Sequence, residues 1–265
     1  MDSKSEILTN KDTNADTNTD TSAETSAASD PALTHTLTHV LDRVVAASLE
    51  GHHARFARRH GQAVRYENDV APFFAIEDAH NPAAWDDAAA LLDDGETAAF
   101  PGVETCPSNW ERIAKLDGVQ MVGTNISPKH DPEAIRLGPH DVPEILNLIT
   151  RTEPGPFLQR TIELGTYLGI RRDGALIAMA GERMHPPGRT EISAVCTDPT
   201  YRGQGLAGRL VRAVAAGIQE RDETPFLHAA ATNESAIRLY GSLGFTPRRP
   251  ITFLLVQKPQ RPSAQ

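Results

Sequence analysis

Residues 195–208, Val-Cys-Thr-Asp-Pro-Thr-Tyr-Arg-Gly-Gln-Gly-Leu-Ala-Gly, join an apolar strand to a helix through a glycine-rich turn. Glycines at 203, 205 and 208 are expected to let the main chain take positive φ and approach an anion closely, with the unpaired amides of the following helix pointing toward it. Upstream, Glu191-Ile-Ser-Ala-Val-Cys-Thr197 is a half-alternating apolar run that stops at Asp198-Pro199, so the turn hangs from a strand. Downstream, Leu206, Leu210, Val214 and Ile218 recur every four residues with Val211 beside them, while Arg209, Arg212, Gln219 and Glu220 fall mostly elsewhere on the wheel. That is an amphipathic helix packed on a sheet.

Taken alone, a Gly-x-Gly turn serves an ordinary connection as readily as a pyrophosphate site. Gly203, Gly205 and Gly208 satisfy the spacing of a dinucleotide fingerprint, and Glu223 follows at about the twenty-residue distance of its acid. Against that reading, residues 198–202 separate the strand from the first glycine and no repeated βαβ half precedes it. A P-loop is excluded because no Gly-Lys-Ser/Thr follows.

Arg202-Gly203-Gln204-Gly205-Leu206-Ala207 resembles the Arg/Gln-x-x-Gly-x-Gly/Ala signature of the GNAT superfamily of N-acetyltransferases, as do the preceding strand and Asp-Pro turn. Asn233-Glu-Ser-Ala236-Ile237-Arg-Leu239-Tyr240-Gly-Ser-Leu243-Gly244-Phe245 resembles that superfamily's second signature, Asn-x-x-Ala-x-x-Leu-Tyr-x-x-x-Gly-Phe, at the usual distance. The resemblance covers residues 134–257 and is strongest over 175–246. Thr152 to Phe157, Ala178 to Arg183 and Glu191 to Thr197 together look like a subgroup of mostly predicted acetyltransferases, which brings no substrate with it.

The resemblance implies an α/β fold of GNAT type: a mixed, mostly antiparallel central sheet flanked by helices. It also implies acetyl-CoA as acyl donor, held without a metal. Val195, Cys196 and Thr197 would pair with the pantetheine amides through free backbone groups where their strand splays from the one at 225–230. Amides of Gly203, Gln204, Gly205, Leu206, Ala207 and Gly208 would hold the pyrophosphate, with Arg202 neutralising charge and Asn233 bonding the pantetheine arm. The family commonly places a glutamate on the motif strand as base and a tyrosine near the thioester sulfur as acid. Those positions fall on Glu191, acting directly or through water, and on Tyr240; Glu182 is the second choice of base.

A base matters because a lysine-like amine of pKa about 10.4 is neutral in only roughly one molecule in two to three thousand at pH 7, a handicap of about 4.6 kcal/mol. Each assignment has a plainer reading beside it. Glu191 also fits an exposed strand-end carboxylate, and Tyr240 also fits a ring packed with Ile237 and Phe245. Cys196 lies in an apolar strand with no histidine nearby in sequence, so direct transfer is expected rather than an acyl-enzyme. His228 is read as a strand residue facing pocket or core, and Met179 and Met184 as core filler. Phe157 and Arg160 follow the Pro154-Gly155-Pro156 loop and are candidates to line the amine pocket, although that loop equally suits a rigid turn into a helix. His35 and His39, four apart, could meet His52, His53 or His60 around zinc, but no Cys or Glu completes a known spacing.

Along the chain, residues 9–30 hold nothing apolar larger than alanine and cannot offset the entropy of ordering, so residues 1–30 are expected to be a disordered tail. Leu37, Val40, Leu41, Val44, Val45 and Leu49 predict a packing helix ending near Gly51. Residues 31–130 are read as an accessory α+β region, possible half-copy of the main fold included, with strands at 72–76, 97–100 and 119–122 and a helix at 83–92. From 131 to 258 follow a strand at 134–137, a helix from about Val142 to Thr150, strands at 165–171, 175–184 and 190–197, the helix from 204, a strand at 225–230, a helix at 233–243 and a strand at 250–257. Asp173-Gly174 marks a hairpin turn, and residues 259–265 are a second tail.

The chain has 265 residues, 39% of them hydrophobic, enough for one large domain or two small ones. Two distant cysteines, no signal peptide and no apolar run of membrane-spanning length make a cytoplasmic protein the expectation. Residues 1–30 hold seven of the acids against Lys4 and Lys11, so they carry -5 of the formal net charge of -9. The rest has no basic stripe for nucleic acid and no basic amphipathic anchor for a membrane. The resemblance then implies a small-molecule or peptide amine as the expected partner. Its identity, the acyl preference and the choice between monomer and homodimer stay open. So do a non-catalytic acyl-CoA sensor and a transferase for another donor such as succinyl-CoA, for which Arg160 or Arg183 would supply the cation.

Overall fold

The computed structural model describes residues 39–258. The tails expected at 1–30 and 259–265, and the positions of His35 and Leu37, lie outside them. In chain order the first elements are α1 (Val44–Glu50), β1 (Ala57–His60), β2 (Ala63–Tyr66), β3 (Phe74–Ile76), α2 (Pro82–Ala90), β4 (Thr97–Pro101) and β5 (Glu111–Val122). Next come β6 (Ile135–Arg136), α3 (Val142–Thr152), β7 (Tyr167–Arg172), β8 (Ala175–Glu182) and β9 (Arg189–Thr197). The chain then runs through α4 (Leu206–Gln219), β10 (Thr224–Ala230), α5 (Glu234–Ser242) and β11 (Thr246–Gln257).

Strands β1, β2 and β3 make a small antiparallel sheet, and the other eight run in the order β4-β11-β5-β10-β9-β8-β7-β6. Only β9 and β10 are parallel within the large sheet, which is the mixed, mostly antiparallel α/β architecture the sequence predicts. The hairpin between β7 and β8 turns on Asp173 and Gly174, with φ of 50° and 83°, as a two-residue turn with both centres left-handed requires.

The domain boundary expected at residue 131 is corrected. β5 lies inside the large sheet, bonded to β11 along its whole length and to β10 from Gly118 to Val122, while β4 forms the edge. Strands β4 and β5 of the first half of the chain therefore complete the large sheet, while β1, β2 and β3 pair among themselves. Only the end of β5 is buried, because residues 111–117 have β11 on one side and no described strand on the other.

Two helices hold the sheet from opposite faces. Leu206, Leu210, Val211, Val214 and Ile218 of α4 pack on Ile170, Ala178, Ile192 and Leu227, each such buried side chain contributing about 1.5–3 kcal/mol. Val142, Ile145 and Leu148 of α3 pack with Met179 and Cys196. Ala178 and Met179 are neighbours in β8, so their side chains leave opposite faces. α1 follows a single 3₁₀ turn at Val40–Asp42, closes at Gly51, and buries Val44, Val45 and Leu49 with Phe73, Val122 and Phe226.

Candidate active site

The parallel pairing of β9 and β10 ends at Glu191 and Phe226. Beyond it β10 continues with β5 alone and β9 with β8 alone, so the two strands part and leave backbone groups of β9 unpaired along residues 192–197. A bulge reshapes that free edge. Ala194 takes φ 52°, and residues 194 and 195 together face Ala180, which redirects main-chain groups at the fork. Alanine gains nothing locally from the left-handed region, so the surrounding sheet must impose it.

One cavity of about 670 Å³ lies against this edge. Among the residues expected to bind the donor, Val195, Cys196, Thr197, Arg202, Gly203, Gly205, Leu206, Ala207, Gly208, Asn233 and Tyr240 line it. Gln204 is exposed and lies outside the lining. Gly203 and Gly205 take φ of 80° and 73°, and a Cβ at either would meet nothing within 4 Å, so it is the conformation and not crowding that calls for glycine. Gly208 is corrected: it sits inside α4 with helical backbone, where a Cβ would rest 3.6 Å from Leu239. Gly205 is the N-cap, and the first intrahelical bond runs from Arg209 N to Gly205 O, so the amides of Leu206, Ala207 and Gly208 have no partner behind them. Asn233 caps α5, its Oδ1 accepting from Ala236 N, which leaves its amide hydrogens for the cavity.

Burial pushes the Tyr240 phenol up to about 12, so it keeps its proton across the neutral range. Its ring packs edge-on against Phe245, and it lines the cavity as well, so the two readings of this residue coexist. Burial likewise pushes the Cys196 thiol up to about 11, which withholds the thiolate a nucleophile would need.

Glu191 is not the exposed strand-end carboxylate of its plainer reading, nor is it open to substrate. It is fully buried. Arg183 donates to it through Nε and Nη2 at 2.9 and 2.7 Å, Met184 N at 3.3 Å, and His228 Nδ1 at 2.8 Å. Burial alone would raise this carboxyl, but the charge and hydrogen bonds of Arg183, with those of His228, outweigh it and hold it well below the usual carboxylate range. A carboxylate bonded on both oxygens has no lone pair ready for an incoming proton, which corrects the expectation of a direct or water-relayed base.

The histidine beside it has a fixed tautomer. Arg248 Nη1 donates to Gln120 Oε1, which turns the amide nitrogen of Gln120 toward Leu41 O and His228 Nε2. His228 Nε2 must then be the acceptor, and its proton lies on Nδ1 facing Glu191. No local signal in the sequence marks this pair, since 37 residues separate its members.

A second cavity of about 310 Å³ adjoins the first at Pro154 and is lined by His228, Arg183, Phe73, Ala99, Gly118 and Phe253 among others. Strands β4 and β5 thus wall the space beyond the fork. Phe157 and Arg160 do not line it. Phe157 is buried against Tyr167, and Arg160 bonds Glu67, Asp69 and Glu163, so both are corrected to structural roles. Glu182 is buried and bonded to Arg221 and to Thr166 N, away from both cavities.

His52, His53 and His185 each bring one nitrogen within 4.8 Å of the others. His53 uses both ring nitrogens, on Tyr66 Oη and Leu164 O, and the rings of His52 and His185 stack with centroids 3.9 Å apart. Stacked rings do not aim their in-plane lone pairs at one point, and His185 Nε2 already meets Glu223 Oε1 at 2.6 Å, so this arrangement suits packed imidazoles better than a metal centre.

Comparison with known proteins agrees with this geometry. The profile of the family described as FR47-like protein matches residues 167–254. N-alpha-acetyltransferase RimI of Mycobacterium tuberculosis is 34% identical over 82 residues, 30% of this chain and 51% of that protein. Mycothiol acetyltransferase of Thermomonospora curvata is 35% identical over 83 residues, 31% of this chain and 28% of that protein. The chain thus spans about half, or less, of these curated relatives. No helix among the described residues is long and apolar enough to cross a membrane. A solved structure from Novosphingobium aromaticivorans, of an acetyltransferase assigned to the GNAT family, superposes with a TM-score of 0.77 at 42% identity, over 83% of this chain and 99% of that one. With two signature motifs, the forked sheet and a relative matched over nearly its whole length, the chain belongs to the GNAT family of acyltransferases.

Proposed function

We propose that this protein transfers the acetyl group of acetyl-CoA directly to a primary amine. The observation that carries this reading is the fork itself: a groove of unpaired amides on one side of Pro154, and a cavity with a polarised histidine on the other. Acetyl-CoA supplies an activated thioester, and the chain's own residues do the rest. The amides of residues 206–208 and the two left-handed glycines offer donors to a pyrophosphate, with Arg202 beside them. The free edge of β9 at Val195, Cys196 and Thr197 offers main-chain partners to an extended amide chain, as a neighbouring strand would. The bulge at Ala194 would offer a main-chain donor at the fork, where charge builds on a thioester oxygen during attack.

Glu191 acts through His228. The carboxylate keeps the Nδ1 proton in place and steadies positive charge on the ring, and Nε2 takes a proton from the amine once the amine displaces Gln120 from it. Tyr240, protonated at neutral pH, gives its proton to the departing thiolate. A buried thiol at Cys196 leaves no role for a covalent acyl-enzyme. Thiol release from acetyl-CoA by the purified protein tests the reading: release that depends on an added amine and yields the N-acetylated amine supports it. A panel of primary amines with no release above the hydrolytic background would remove it.

A further inference from the structure

The second cavity narrows the kind of amine, an inference that rests on the transfer proposed above. Its walls are mostly carbon, from Pro72, Phe73, Ala99, Leu116, Phe253 and Leu255. Its charged and polar members are few, and two of them already bond other side chains, Arg183 through two of its three nitrogens and His228 through both of its own. Arg183 gives Nε and Nη2 to Glu191 and lays its guanidinium over the Phe73 ring at 4.8 Å. His228 has one nitrogen on Glu191 and the other on Gln120. Thr97 and the exposed Asp117 complete the set, and Asp117 is the one charge there with no counter-ion among the described residues.

We infer that the acceptor is a primary amine carried on a compact apolar body, with no sugar-like or second charged group near the reacting nitrogen. A hydroxyl or ammonium pressed against Phe73, Ala99 and Phe253 would lose its water and find no partner, whereas an alkyl or aryl group gains from the same contact. Asp117 attracts the incoming ammonium without following it inward. A volume of about 310 Å³ admits a body the size of one large apolar side chain. Such an amine can be a free small molecule or the first residue of a peptide, and both present the same chemistry to these walls.

The test uses the full chain with acetyl-CoA and five acceptors: phenethylamine, isoamylamine, glucosamine, spermidine and a peptide beginning with leucine. The expected result is a kcat/KM about 100-fold higher for the apolar amines than for glucosamine or spermidine, the range hydrophobic pockets reach. If the peptide exceeds phenethylamine, the source is a polypeptide; the reverse order points to a free amine. Leu116→Gln changes an exposed wall residue, so the fold should persist, and it should reduce that preference at least fivefold with acetyl-CoA affinity unchanged. Equal rates across the panel, or a preference for glucosamine or spermidine, would overturn the apolar acceptor while leaving acetyl transfer intact. No release with any of the five would remove transfer and this inference together.

Discussion

Glu191 and His228 face each other where β9 and β10 part, with Nδ1 of the ring 2.8 Å from the buried carboxylate. The same carboxylate is held by Arg183, so it fixes a cation on one side and an imidazole tautomer on the other. Its substitution is therefore structural before it is kinetic. Glu191→Gln strands the Arg183 guanidinium without a counter-charge and should cost about 3–5 kcal/mol of stability. Urea denaturation measures this directly, and an unchanged midpoint and slope would mean that the ion pair is not as desolvated as its burial indicates.

His228→Asn offers the cleaner kinetic probe. Asparagine can still donate to Glu191 but has no basic nitrogen, so turnover should fall by about 10²–10⁴-fold, the usual worth of a positioned base. Acetyl-CoA binding should stay within twofold or so of the parent. Unaltered turnover would take the proton transfer away from His228.

Tyr240→Phe separates packing from chemistry. The phenol is pushed up to about 12, so in the parent protein the loss of its proton should produce no fall in rate below pH 10. Removing the hydroxyl leaves the edge-on contact with Phe245 and should lower kcat by about 10–100-fold without weakening acetyl-CoA binding. A variant with full activity would leave the ring a packing role alone.

Buried His53 makes stability fall in mild acid. Burial brings its pKa from 6.5 down to about 3, partly opposed by its bond to the Leu164 carbonyl. Between those values the unfolded chain binds a proton that the folded chain refuses. Stability is thus complete above pH 6.5 and is lost as the pH falls toward 3. From pH 6.5 to 5 the loss is about 1.5–2 kcal/mol for this one group, before the carboxylates titrate. His52, lowered mainly by its partial burial, adds to it with the same sign. Denaturation midpoints at several pH values check this, and a His53→Gln variant should be less stable but flatter over that window. An equal slope in the variant would assign the effect elsewhere.

The loop at 202–208 and the helix behind it were legible because their signals are local: glycines at special φ, an Asp-Pro stop and a four-residue apolar period. The same holds for α5, whose Asn233 cap stands in the sequence just before the helix it starts. Long-range pairing was not legible. The first seven residues of β5 mix Glu111, Arg112, Lys115 and Asp117 with Ile113, Ala114 and Leu116 on both faces, so alternation fails as a strand signal and only Val119 to Val122 stand out. Glu191 looked like a strand-end acid because its partners are Arg183, across a turn, and His228, on another strand. Phe157 and Arg160 follow the right loop, but the core and three carboxylates claim them.

Calorimetric titration of acetyl-CoA into the full chain, parent and Gly205→Val side by side, bears most directly on whether the amides around Gly205 hold the donor. A Cβ at residue 205 meets no atom within 4 Å, so the substitution acts on a left-handed backbone, at a strain of about 1–3 kcal/mol, and on the space in front of the amides. The parent should bind one equivalent, and the variant, still folded, should bind at least tenfold more weakly. A parent that takes up no acetyl-CoA, or a folded variant that binds it equally well, would contradict a donor site at this loop.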